Sequence, residues 1–166
     1  MIIANQCLEG IYFNSGFLAI YLLGRSGKML GSVDDIRFIH RDELNHMALF
    51  INLFRDIHKE NKHLFTSELY AQIRQLYIDA AMLEAKWGVY ITQNQIIGID
   101  NDTLTDYIKY LANDRFNASG LHKVEGLQKP FPEVDGIPES LKWINSYKEP
   151  NNTKTNFFEG KVKNYD

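Results

Sequence analysis

Cysteine is almost absent from the 166 residues: there is one, Cys7. No internal disulfide is therefore available, and a reducing compartment suits such a chain. Proline is missing from the first 129 residues; its four copies are Pro130, Pro132, Pro138 and Pro150. A dominant charge is missing too. With 18 basic and 21 acidic residues, the net charge of −3 gives no electrostatic case for nucleic acid, whose binders show a clustered basic face. Met1 to Ala4 carry no Lys or Arg, and Asn5, Gln6 and Glu9 follow at once, which reads against a signal peptide. The uncharged run from Gly10 to Gly24 has 15 residues, short of the ~20 that a membrane-spanning helix needs. The expectation is a cytoplasmic protein without a membrane span. With 45% hydrophobic residues, there is enough apolar material for one domain of ~100–200 residues.

What is present is helical periodicity. Leu8, Tyr12, Ser15 and Ala19, with Ile11, Phe13, Phe17 and Tyr21 between them, leave almost no polar face, the pattern of a buried helix. Gly24, Gly27 and Gly31 loosen and end it. Ser32 followed by Asp34 and Asp35 reads as a capped start, and the second helix runs to about Lys59. A third covers roughly Thr66 to Gln95. A fourth starts at Asp102 or Thr103 and reaches about Leu121. Pro- and Gly-rich loops, a short segment Ser140–Tyr147 and a polar tail follow. Four helices with an irregular tail make an all-α architecture.

Chemistry concentrates in Glu43-Leu44-Asn45-His46, a Glu-x-x-His on a helix with apolar neighbours. Spacing of three puts both side chains on one helix face, within reach of one metal. Glu9 lies inside the most apolar helix, where an unpartnered carboxylate costs several kcal/mol or takes up a proton. If the first two helices form an antiparallel hairpin, residues symmetric about the turn lie at equal height. The midpoint of 9 and 43 is 26, inside the glycine-loosened link, so Glu9 is expected to face Glu43. Di-iron carboxylate bundles of the ferritin-like type take one Glu from each of two helices and Glu-x-x-His from two more. This sequence carries one of each kind, half a site. Oxygen donors with one imidazole suit iron or manganese better than a closed zinc site. Glu60-Asn61-Lys62-His63 has the same spacing in a polar stretch and reads as solvated surface.

Leu8-Glu9-Gly10-Ile11-Tyr12-Phe13 and Ile39-His40-Arg41-Asp42-Glu43-Leu44-Asn45-His46, 34 positions apart at the two acids, resemble the small subunit of class I ribonucleotide reductase in its second half. Thr155-Asn156-Phe157-Phe158-Glu159-Gly160-Lys161-Val162, followed by Tyr165, resembles that family's C-terminal element. The resemblance implies a partial ferritin-like bundle: a helical half-bundle over 1–148 and a flexible tail over 149–166. It makes Glu9, Glu43 and His46 metal ligands, half of the set for a dinuclear iron or manganese centre. Phe13 and Phe17, one and two turns beyond Glu9, would line an apolar pocket beside the metals with Ile39 facing them; from the sequence alone plain core packing is the better account of these three, and both can hold. Asp42 would hydrogen-bond a metal-bound histidine and sit on the radical-transfer route, or else be a surface acid paired with Arg41. Tyr165 would relay the radical to the large subunit, with Glu159 nearby.

The family's first half supplies another acidic ligand, a second Glu-x-x-His and the radical tyrosine, and none of these is found before Glu9. The resemblance therefore implies a half subunit from a split or truncated gene. Its partners would be a complementary N-terminal chain and the large subunit, in a homo- or hetero-oligomer, with neither nucleic acid nor membrane. The reaction implied is reduction of ribonucleotides to deoxyribonucleotides. Two other readings stay open: a homodimeric dinuclear oxidase or metal-binding bundle, and a non-catalytic structural fragment.

Overall fold

The computed structural model describes residues 1–148, and the expectations for Glu159 and Tyr165 lie outside the described residues. The described part is all-helical. It runs through α1 (Ile2–Gly10), α2 (Asn14–Arg25), α3 (Leu30–Glu60), α4 (Ser67–Thr92), α5 (Asn101–Ala118) and the short α6 (Asn145–Lys148), with 3-10 turns at Lys62–Leu64, Leu121–Lys123 and Glu139–Ile144. Thr66 Oγ1 accepts a hydrogen bond from Leu69 N at 3.3 Å, and Asp100 Oδ1 from Thr103 N at 2.7 Å. These side-chain caps satisfy amides that the first turn leaves open and so fix where α4 and α5 begin.

Two expectations about helix ends need correction. α3 starts at Leu30, not at Ser32: Met29 sits before it in the left-handed region (φ +52°) with no side-chain cap. Glycine-rich sequence lets the link between α2 and α3 close early, and Gly27 takes φ +74° there. The expected single N-terminal helix is two. Its trace breaks at Ile11–Phe13, with Phe13 at φ +69°. Tyr12 N reaches back five residues to Cys7 O at 3.1 Å, a locally widened turn. Three side chains make the break tolerable by taking the backbone groups it strands. Asn14 Nδ2 donates to the carbonyls of Ile11 (3.2 Å) and Tyr12 (3.3 Å). Arg115 Nε, from α5, donates to Gly10 O at 3.3 Å. Glu84 Oε1, from α4, accepts from Ser15 N at 2.9 Å and opens α2. The stretch Ile2–Arg25 has 24 residues and a mean hydropathy of 1.2 at its most apolar, enough by length and composition for a membrane span. Half of that window is buried inside the fold.

The core lies between α1–α2, α4 and α5, with α3 packed against α1 and α2. Ile11, Leu18, Tyr21, Tyr77, Ile108, Leu111 and Phe116 are fully enclosed, and each such side chain contributes roughly 1.5–3 kcal/mol on burial. Two glycines set close approaches. A Cβ on Gly88 would meet Ser15 Oγ at 2.5 Å and Leu104 Cδ2 at 2.8 Å, so α4 touches the start of α2. A Cβ on Gly10 would meet Met47 Sδ at 2.8 Å and Arg115 Cγ at 3.2 Å, so α1, α3 and α5 come together at that height.

Candidate metal centre

α1 and α3 run side by side, and the residue before Gly10 projects onto the middle of α3. Glu9, Glu43 and His46 each offer one ligand atom, and these atoms lie within 4.8 Å of one another. His46 Nδ1 is 3.2 Å from Glu43 Oε2 and 3.5 Å from Glu9 Oε2. The hairpin reading is met: helices joined through a turn centred near residue 26 bring 9 and 43 to one height.

The electrostatics follow from two acids meeting. Glu43 is held above the ordinary carboxylate range, first by its hydrogen bond with Glu9 and then by burial, with His46 pulling the other way. His46 is raised, chiefly by its hydrogen bond to Glu43. Metal binding to a raised carboxyl and a raised imidazole such as Glu43 and His46 displaces their protons. Two carboxylates and an imidazole converging on one point fit a divalent ion that favours oxygen donors.

The side chains of Glu9 and Glu43 are 20% and 21% exposed and that of His46 is 57% exposed, so the trio opens to solvent. The expected dry pocket is therefore not closed by these residues alone. Phe13 (49%) and Ile39 (46%) are half exposed. The break at Ile11–Phe13 removes Phe13 from the helical register that placed it one turn above Glu9. Phe17 is buried, with its ring 5.0 Å from that of His40. Asp42 does not bond His46. Its Oδ1 accepts from Arg41 Nε and a second Arg41 nitrogen, both at 3.2 Å, on the exposed side of α3. Glu60 and His63 are both exposed, at the end of α3 and in the turn beyond it, as expected for solvated surface.

Glu84, Arg115 and Asn14 escaped the sequence reading, although together they fix the backbone just after Glu9. Asn14-Ser15 inside an apolar run was the signal that the first helix does not continue. The pairing of Ser15 with Glu84, 69 positions away, leaves no local trace.

The model of the family described as ribonucleotide reductase, small chain, matches residues 1–126. The protein is 40% identical over 164 residues to the ribonucleoside-diphosphate reductase subunit beta of Treponema pallidum, an alignment covering 98% of its own length and 45% of the relative's. To the subunit beta of Halalkalibacterium halodurans it is 37% identical over 164 residues, covering 99% of its own length and 45% of the relative's. Among solved structures, the R2 subunit of Clostridium botulinum superposes with a TM-score of 0.79 at 38% identity, over 90% of this protein and 44% of that one. The sequence thus spans less than half the length of these relatives. An all-helical fold, two carboxylates and a histidine gathered between α1 and α3, and agreement along most of its length lead to one conclusion: the chain belongs to the ribonucleotide reductase small-chain family.

Proposed function

We propose that this chain acts as the second half of a ribonucleotide reductase small subunit, in the reduction of ribonucleotides to deoxyribonucleotides. The observation that supports this reading most is the meeting of Glu9, Glu43 and His46 at one point. Those three would hold a dinuclear iron or manganese centre together with ligands from a complementary N-terminal chain, since three protein groups are half of what the four-helix site uses. When bound, the metals would supply the oxidising power that starts a radical. The protein's own part is ligation, orientation and the exclusion of water. Glu43, held above the ordinary carboxylate range beside Glu9, gives up its proton on metal binding; Phe13 and Ile39, half exposed here, become one wall of an apolar pocket once the partner covers them; and Phe17 backs that wall. Residues 1–148 form the half-bundle and 149–166 the tail. Asp42, freed from Arg41 or bridging it, would sit on the radical-transfer route as a hydrogen-bonding acid, and Tyr165 would relay the radical toward the large subunit.

Iron and manganese per chain, measured after anaerobic loading, test the ligand count. The polypeptide alone should hold far fewer than two tightly bound ions, and the pair formed with its complementary polypeptide should hold two. Two ions on an isolated monomer overturn the reading. Two ions on a homodimer support instead a site built from two copies, a reading favoured by the exposure of His46 beside the exposed Leu49 and Leu53. For the radical path, Tyr165→Phe should leave metal loading of the assembled enzyme intact and remove deoxynucleotide formation, because phenylalanine has no phenolic proton to lose. Turnover near the unmutated level would take Tyr165 off the path.

A further inference from the structure

At the far end of α3 from the metal ligands, a cleft of about 1030 Å³ opens between the last turns of α3, the start of α4 and the loop after α5. Arg55 is nine residues beyond His46, about 13 Å along the helix axis at 1.5 Å per residue, so this is a separate place on the molecule. Its walls are basic. Arg55, Lys59 and Lys62 come from one side and Lys123 from the other, with His58 on the first side and His122 on the second. None of the four cations is in an ion pair among the described residues, whereas elsewhere Lys129 and Lys142 have one each and Lys109 has two.

A simpler account is that these cations offset the negative ends of α3 and α5, which both terminate here. Each helix end is worth about half a negative charge, and Glu125 is the one acid on the walls. Asp56 and Glu60 belong to α3 but do not line the cleft. Against four full positive charges, these leave an excess of about two, more than dipole compensation requires. Two imidazoles complete the walls. His122 Nδ1 donates to Asn117 O at 2.9 Å, leaving Nε2 as its other polar atom. His58 is held below the ordinary imidazole range, first by burial and then by the charge of Lys62, and its Nε2 meets the Tyr70 hydroxyl at 2.6 Å. A neutral His58 makes Tyr70 the donor in that bond. Phe54 stacks on the His58 ring (5.7 Å) and Phe65 meets its edge (4.7 Å), so this wall is rigid.

We propose that this cleft binds a polyphosphate anion, free or as the phosphate chain of a nucleotide, through Arg55, Lys59, Lys62 and Lys123. Several separated point charges around a wide opening suit a chain of phosphates better than one small anion, and arginine and lysine are the side chains that pair with phosphate oxygens. The tail is a poor rival occupant, because Glu149 to Asp166 mixes three acidic with three basic side chains.

The full-length protein, titrated with inorganic tripolyphosphate in a calorimeter at constant ionic strength, should bind one equivalent saturably. Lys62→Glu with Lys123→Glu should weaken binding by about tenfold or more, since each removes a charge-assisted contact and adds repulsion. Lys28→Glu with Lys86→Glu, the same charge change away from the cleft, should leave it unchanged. If the first pair does not fold by circular dichroism, Lys62→Gln with Lys123→Gln replaces it, with the same direction expected. Equal affinity for ATP and tripolyphosphate would assign recognition to the phosphates alone, and tighter ATP binding to a nucleotide; either supports the site. Absence of saturable binding, equal weakening by both pairs, or displacement of tripolyphosphate by a single-stranded oligonucleotide that binds several protein molecules would overturn it.

Discussion

Gln6 and Glu9 lie three residues apart on α1 and meet opposite surroundings. Gln6 is fully buried, and its amide is satisfied on both sides: Nε2 donates to Phe50 O at 3.1 Å, and Oε1 accepts from the Tyr77 hydroxyl at 2.6 Å and from Ser119 Oγ at 2.7 Å. Burial pushes the Tyr77 phenol well above its ordinary range, so it stays a donor. Glu9 is partly open and is met by a second acid and an imidazole. Polar groups that hold this fold together find their partners inside it. The trio on the α1–α3 face is not finished in that way: its charges repel, its histidine is exposed, and its apolar neighbours Phe13 and Ile39 are uncovered. A buried network completed from within serves the fold. A half-open pair of acids with an exposed imidazole is not completed in that way.

The comparison breaks most visibly if Gln6 is removed. Gln6→Ala removes three hydrogen bonds, although Tyr77 and Ser119 keep each other at 3.2 Å and Ser119 keeps Arg115 O at 3.0 Å; at about 1 kcal/mol for each lost bond it should cost about 3 kcal/mol, read as a lower midpoint in urea. A loss under about 1 kcal/mol would mean that water replaces the amide and that the network is not structural.

Glu84→Ala should come next, at about 1–2 kcal/mol, the cost of losing a cap at the start of α2. Glu84→Gln separates shape from charge. Burial raises the Glu84 carboxyl above its ordinary range, and bonds from Ser15 and Phe13 only partly offset this. A raised acid favours the folded state while protonated, so this contribution is present below the unfolded pKa and is lost as pH climbs through the raised folded one. Relative to the wild type, Glu84→Gln should therefore gain stability as pH rises through that window and lose the advantage in acid. Parallel stability–pH curves would contradict it.

The smallest effects belong to the open face. Glu43→Ala should leave the melting temperature of the metal-free protein unchanged or slightly raised, because it relieves repulsion with Glu9, and should abolish metal uptake in the assembled subunit. Glu60→Ala, with the same spacing to a histidine, should change neither. A metal-free protein that melts much earlier after Glu43→Ala would make the trio a structural ion-pair cluster and erase the contrast with Gln6.

Much of the candidate site could be read from the sequence because it rests on local spacing and one symmetric turn. Glu43 and His46 share a helix face by their offset of three, and the hairpin midpoint placed Glu9 beside them. The start of α4 was legible in Thr66, a side chain whose oxygen caps its own helix. Periodicity could not register the break at Ile11–Phe13, since apolar residues continue through it at helical spacing; only the polar pair Asn14-Ser15 just beyond it hinted at the break. Nor could it find Glu84 or Arg115, whose bonds to Ser15 and Gly10 join positions 69 and 105 apart. The assumption that Phe13 stays in register with Glu9 failed for the same reason, and the exposure of Ile39 depends on what packs over α3 rather than on α3 itself.

Gly10, the neighbour of Glu9, carries a consequence for distance. Its missing side chain is what lets Met47 and Arg115 sit against the backbone of α1, and Met47 follows directly on His46. Any larger residue there would work as a wedge between α1 and α3 at the height of the two carboxylates. Overpacked contacts yield by moving backbone as well as side chains; the flexible Met47 thioether can take up a first added atom, and bulkier side chains would then begin to widen the gap between Glu9 and Glu43. The separation of the paired acids is therefore gauged by an empty position one residue away, and a change that touches no ligand would still set how large an ion the pair could grip.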